Sequence, residues 1–143
     1  MELVGKIWKD GKFWLVEVPV IDVCTQGHTR KEALMMIEDA VIELLKSYFR
    51  LDEIKGFKLE IVDHKKNDIG IKASNNNIML SFSLIRQREM SRSTVREVAE
   101  RLGSKSPNSY AQYERGKMRI TLDQYERLLG AVNPSRPPIL RVI

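Results

Sequence analysis

Hydrophobic positions cluster in Leu3 to Trp8 and again in Phe13 to Val18, two short runs rich in β-branched, aromatic and aliphatic residues that read as strands. Lys9-Asp10-Gly11-Lys12 joins the two runs, and Asp-Gly between strands predicts a hairpin. Pro19 closes the second strand; Val20 to Thr25 reads as a short third strand, with Gln26-Gly27-His28 as the turn out of it. The pattern then changes. Ala33, Ile37, Ala40, Val41, Leu44, Leu45 and Tyr48 recur at three- and four-residue spacing, which predicts one apolar face on a helix of about five turns. Thr29-Arg30-Lys31-Glu32 is a capping box for its start. Met35 and Met36 extend the stripe and are expected in the core. Phe57 to Val62 alternates apolar and polar as a fourth strand, and Ile69 to Ala73 can add one more. The expectation is a ββ(β)αβ layer, one helix across a small sheet.

From Ile78 the pattern is helical throughout. A helix over Ile78 to Glu89 turns Met79, Phe82, Leu84 and Ile85 inward, and Thr94-Val95-Arg96-Glu97 caps a second helix that runs to Gly103. Ser106-Pro107 caps a third, with proline at the first helical position, where its missing N–H costs nothing. Thr121-Leu122-Asp123-Gln124 caps a fourth, through Tyr125, Leu128 and Leu129, which stops before Pro134. The tail, Pro137 to Ile143, carries Ile139, Leu140, Val142 and Ile143 and is expected to add a strand or cover a partner. Ser74-Asn75-Asn76-Asn77 is short, polar and turn-prone. The expected organisation is therefore an α+β domain at residues 1–73, a linker at 74–77 and an all-α domain at 78–143.

Charge sharpens that division. The 143 residues carry 24 Lys and Arg against 19 Asp and Glu, a net charge of +5. Residues 1–80 hold 12 basic against 13 acidic side chains, whereas residues 81–143 hold 12 against 6. The whole surplus lies in the helical half, and ten of its twelve cations are Arg, whose planar fork suits phosphates and guanine edges. Such asymmetry points to a polyanionic partner for one module. With 43% hydrophobic and 30% charged residues the composition is that of an ordinary globular protein. No apolar run is long enough for a membrane span or a signal peptide, and the lone Cys24 offers no internal disulfide, so a cytoplasmic location is expected.

Catalytic chemistry is not indicated. A nuclease would need carboxylates converging on divalent metal. Asp10 falls in a hairpin turn, Asp22 in a loop, and Glu38, Asp39 and Glu43 on the solvent side of the long helix. His28 and His64 have no ligand spacing, and no Gly-rich phosphate loop is present, so no catalytic residue, metal or cofactor is expected. The segment from Val98 to Arg115 does fit a helix-turn-helix: Ala99 permits close helix crossing, and Gly103 supplies the turn. The first turn of the following helix presents Asn108 and Ser109, with Gln112 one turn on. Asn and Gln side chains can bond adenine edges bidentately.

Ala99-Glu100-Arg101-Leu102-Gly103, Tyr113-Glu114-Arg115-Gly116-Lys117 and Thr121 to Leu129 resemble the XRE or phage-repressor class of helix-turn-helix, with one extra residue between Gly103 and Glu114 and Val95 where Gln is common. The resemblance implies DNA readout by Asn108, Ser109 and Gln112, with Ser106, Arg115 and Lys117 near phosphates. The N-terminal half, through Phe13 to Pro19, Thr25-Gln26-Gly27-His28-Thr29 and Glu32-Ala33-Leu34, resembles HicB antitoxins, although Asp22-Val23 replaces the Pro-Gly that often precedes the Cys. That resemblance implies a partial RNase H-like domain that neutralises a HicA-like mRNA-cleaving toxin, joined to a domain that represses its own operon as a dimer or tetramer on operator DNA. It leaves the toxin-contact residues unknown. The alternative is a solitary helix-turn-helix regulator whose N-terminal domain senses a ligand or dimerises.

Overall fold

The computed structural model describes residues 1–141, and the chain divides into two compact units, residues 1–76 and 77–143. The tail positions Val142 and Ile143 lie outside the described residues.

The first unit is a five-stranded, wholly antiparallel sheet carrying one long helix. The strands are β1 (Leu3–Asp10), β2 (Phe13–Val18), β3 (Val23–Gly27), β4 (Leu59–Asp63) and β5 (Asp68–Ala73), in the spatial order β3-β2-β1-β5-β4. The hairpin between β1 and β2 is tighter than expected. Asp10 pairs with Phe13, which leaves Gly11 and Lys12 as the turn, with Gly11 at φ 61°. Helix α1 (Arg30–Tyr48) touches β2 and both edge strands, β3 and β4, so the sheet curls around it. Alternation then decides what is buried. Ile7, Val16, Val18, Val23, Ile69 and Ile71 face the helix and meet Ala33, Ile37, Val41 and Leu45. At roughly 1.5–3 kcal/mol per fully buried aliphatic side chain, this layer is the main source of the unit's stability.

Four local expectations are corrected. Val20 to Thr25 is not one strand: Pro19–Ile21 forms a 3-10 turn, Asp22 sits at φ 51°, and the strand begins only at Val23 and takes in Gln26 and Gly27. Proline supplies no N–H to a ladder, and the left-handed residue redirects the chain. At the start of α1, Glu32 N–H donates to the Thr29 hydroxyl at 3.0 Å; the return bond of a capping box is absent from the described contacts. Met35 and Met36 are 56% and 43% exposed, because the buried stripe advances in steps of four from Ala33 to Leu45 and both methionines lie off it. The linker is shorter than residues 74–77, since the next helix begins at Asn76.

Two close contacts set the geometry of the helix on the sheet. Gly27 lies so near the first turn of α1 that a Cβ would come within 2.5 Å of the Ala33 nitrogen. Arg30 reaches across to Asp63, at 2.6 Å, and to the Lys66 carbonyl, at 2.7 Å, with its guanidinium 5.8 Å from the centre of the Trp14 ring. Trp14 is thus half-buried beneath a cation, and Trp8, in the neighbouring strand, is half-buried as well.

The second unit is helical: α2 (Asn76–Met90, whose first residue belongs to the first unit), α3 (Val95–Arg101), α4 (Asn108–Glu114) and α5 (Leu122–Val132). Thr94 with Glu97 and Thr121 with Gln124 form complete reciprocal capping boxes at the starts of α3 and α5. Leu84, Val98, Ala99, Tyr110, Ile120, Tyr125, Leu128, Leu129, Ala131 and Val132 make one core. Gly103, at φ 79°, ends α3, where a side chain would be strained. Residues 137–141 of the tail form no strand, and Ile139 is 81% exposed.

Candidate nucleic-acid interface

The helix-turn-helix places α3 and α4 around the turn at Gly103 to Pro107. Tyr110 is wholly buried in the core beneath α4, and Tyr113 is half-buried beside it, so the opposite face of this short helix looks outward. Asn108, Gln112 and Arg115 stand at i, i+4 and i+7, hence on one face, and all three are exposed. Lys117 and Arg119 follow in the α4–α5 loop, Lys105 precedes α4, and all three are exposed. Among the described residues, none of Lys105, Arg115, Lys117 or Arg119 has an ion-pair partner.

The serines play a different part from the amides. The Ser106 hydroxyl accepts from the Asn108 N–H at 3.3 Å, but the N-cap position of α4 is Pro107, one residue later than expected, and it has no side-chain cap. The Ser109 hydroxyl donates to the Ser106 carbonyl at 2.8 Å and lies 2.6 Å from the Ser104 hydroxyl. Ser104 in turn accepts from Ser106 N–H, at 3.3 Å. This cluster fixes the turn that presents α4, and Ser109 is engaged in it. The six residues Ser106, Asn108, Ser109, Gln112, Arg115 and Lys117 are therefore gathered on one helix and its two flanking loops, but in two roles.

Behind that face lies an arrangement that local sequence pattern did not reveal. Glu114 points inward, and Arg88 of α2 grips both of its carboxylate oxygens, at 2.6 and 2.9 Å, while donating to the Ser93 carbonyl at 3.1 Å. The pair is largely buried, and the Glu114 carboxylate raises the Arg88 guanidinium above its ordinary value. Burial pushes the Tyr110 phenol far above its usual range, with the charge of Glu114 adding to it. Ser81 of α2 donates to the Tyr113 carbonyl at 2.6 Å. Asn77 uses its whole amide on the loop after α4: it donates to the carbonyls of Gly116 (3.2 Å) and Met118 (2.7 Å) and accepts from the Ile120 N–H at 2.9 Å. The loop bearing Lys117 and Arg119 is thus pinned on both sides of its cations. The signal for Asn77 was visible only as a polar residue in a turn-prone run, and the signal for Glu114 only as one letter of a Tyr-Glu-Arg-Gly motif.

Residues 84–133 match the helix-turn-helix family model HTH_3, a stretch that spans α3, α4 and α5 and the C-terminal part of α2 from Leu84. No curated protein matches the chain. The second unit therefore contains a DNA-binding helix-turn-helix, and DNA is the partner such a module serves. Among the described residues no helix is long and apolar enough to cross a membrane, and no group of three or more His, Cys, Asp or Glu side chains is placed to hold a metal ion.

Proposed function

We propose that the protein is a transcriptional regulator of the antitoxin type, which reads an operator through α4 and neutralises a HicA-like mRNA-cleaving toxin through its N-terminal unit. The observation that carries the first part is the single face of α4 on which Asn108, Gln112 and Arg115 stand exposed, flanked by the unpaired cations Lys105, Lys117 and Arg119. Asn108 and Gln112 read base edges in the major groove, while the cations neutralise phosphates and release counterions. Ser106 and Ser109 hold the turn in place, and in this reading Ser106, next to Lys105 in the chain, meets a phosphate.

Support for the second part comes from the first unit, a separate compact body with two free strand edges and the Thr25-Gln26-Gly27-His28-Thr29 segment that resembles HicB antitoxins. A free edge offers unpaired backbone groups to a partner. In this reading the unit, with a partial RNase H-like outline, acts as a binder and not as an enzyme, requires no cofactor, and works in the cytoplasm. The test of both parts uses the full chain. It should bind operator fragments from its own promoter with steep salt dependence, and it should suppress RNA cleavage by a small toxin encoded beside it. Tight operator binding with no effect on any neighbouring toxin would instead identify a solitary regulator.

A further inference from the structure

The first unit has little net charge, since residues 1–80 hold 12 basic against 13 acidic side chains, yet one end of it is cationic. Antiparallel pairing brings the β1–β2 and β4–β5 turns to the same end of the sheet, where the Ile7 N–H donates to the Asn67 carbonyl at 3.0 Å and β3 leads into α1. Lys9 and Lys12 flank the first turn, and Lys65 and Lys66 form part of the second. All four are exposed, and among the described residues none has an ion-pair partner. Of the carboxylates at these two turns, Asp63 is held by Arg30 and Asp68 by Lys6, which leaves Asp10.

Aromatic rings stand among these cations. Phe13, at the hairpin tip, is 36% exposed, and the ring of the exposed His28 is tilted against it at 5.2 Å. Arg30 joins the parts into one piece, since the guanidinium that covers Trp14 also donates to the Lys66 carbonyl at 2.7 Å. The second turn is strained. Lys65 and Lys66 stand at φ 67° and 53°, the left-handed region that Gly and Asn enter most readily. The Lys65 N–H donates to the Asp63 carboxylate at 2.8 Å, and the Lys65 carbonyl accepts from the Asp68 N–H at 3.2 Å, so the conformation is locked. Two lysines kept where Asn-Gly would be relaxed point to a use for their charge.

We propose that this end of the first unit binds a single strand of nucleic acid: Lys9, Lys12, Lys65 and Lys66 meet its phosphates, and its bases stack on Phe13 and His28. Cations that track a backbone beside exposed rings are what an unpaired strand requires. A duplex keeps its bases stacked on one another, so this ligand differs from the operator read by α4. RNA and single-stranded DNA share the chemistry. The inference stands apart from the toxin-binding reading of the same unit.

The full chain, titrated with an unstructured RNA of about 12 nucleotides, with the DNA of the same sequence and with its duplex, tests this. Tryptophan emission is the readout, because both tryptophans lie in the first unit and binding at α4 is silent. The single strands should change the emission and the duplex should not, and the tighter of RNA and DNA names the natural strand. Lys65→Asn/Lys66→Gly should lower affinity roughly tenfold or more and make the salt slope shallower by about 1.4, at about 0.7 per phosphate on a single strand. Its melting temperature should hold or rise, because the turn loses its strain. Phe13→Ala should weaken binding about tenfold with the slope unchanged, and Lys117→Ala, in the second unit, should bind as the wild type does. Emission indifferent to both single strands, an equal response to the duplex, or undiminished affinity of Lys65→Asn/Lys66→Gly would each overturn the proposal. So would a lower melting temperature of that variant, which would give the two lysines a purely structural role.

Discussion

Arg88 holds Glu114 by two parallel hydrogen bonds, 2.6 and 2.9 Å long, and so fastens α2 to the last turn of the helix that presents Asn108 and Gln112. The fork fixes orientation as well as distance, which a single contact would not. Truncating Glu114 to Ala leaves a guanidinium largely buried without its partner. The expected cost is about 3–5 kcal/mol of stability, measurable by urea denaturation, and Arg88→Lys should not be a conservative exchange here.

The reading face and the backbone contacts should separate in a binding assay. Gln112→Ala and Asn108→Ala are expected to cost about 1–3 kcal/mol on the preferred operator and to relax preference at particular base pairs. Lys117→Ala should weaken every sequence alike and make the salt slope shallower by about one unit. Equal losses from all three variants on every sequence would show that the face has been assigned wrongly.

Asn77 should behave as a DNA-affinity residue that never touches DNA. Its amide makes three hydrogen bonds to the loop that carries Lys117 and Arg119. Asn77→Ala leaves the partly buried Gly116 and Met118 carbonyls and the Ile120 N–H without that partner, at an expected cost of about 1–3 kcal/mol. Operator affinity should fall with little change in sequence preference, as titrations on wild-type and mutated operators would reveal.

Acid should loosen the first unit through Asp63. The hydrogen bond from Arg30 holds its carboxyl below the ordinary aspartate range, helped by the Lys65 N–H. A depressed carboxyl contributes stability that is present above its unfolded value and is lost as pH falls through the folded one. The stability of this unit should therefore decline below about pH 4. Asp63→Asn should flatten that decline while lowering stability at neutral pH, which thermal melts across the acid range would show.

Gly27 tests the seating of α1. A methyl group there would press on the backbone at Glu32 and Ala33, at 2.5 to 3.0 Å, where no flexible side chain can yield. Gly27→Ala should cost about 1–3 kcal/mol by overpacking, seen as a lower denaturation midpoint.

Much of the architecture was legible in local pattern because its causes are local. The reciprocal boxes at Thr94 and Thr121 and the buried stripe from Ala33 to Leu45 all stand as spacing implied. The order β3-β2-β1-β5-β4 was not legible, since it joins Leu3 with Ile71 across nearly the whole first unit, and no short window records such a pairing. The exposed face of α4 followed from helical periodicity. The inward turn of Glu114, the loop-holding amide of Asn77 and the use of Ser109 within its own turn depend on partners distant in the chain or on hydroxyl orientation, about which residue type is silent. Met35 and Met36 were misplaced because apolar character says what can be buried and not what the curl of a sheet will reach.

Both tryptophans, Trp8 and Trp14, lie on the hairpin of the first unit, and the second unit has none; its aromatic reporters are Tyr110, Tyr113 and Tyr125. The protein is consequently labelled by nature on one side. Excitation at the red edge of indole absorption follows the sheet alone, and the stacked Arg30 makes Trp14 sensitive to whatever binds or protonates at that end. Operator titrations that leave this emission unchanged while toxin titrations shift it would resolve the two activities in a single cuvette.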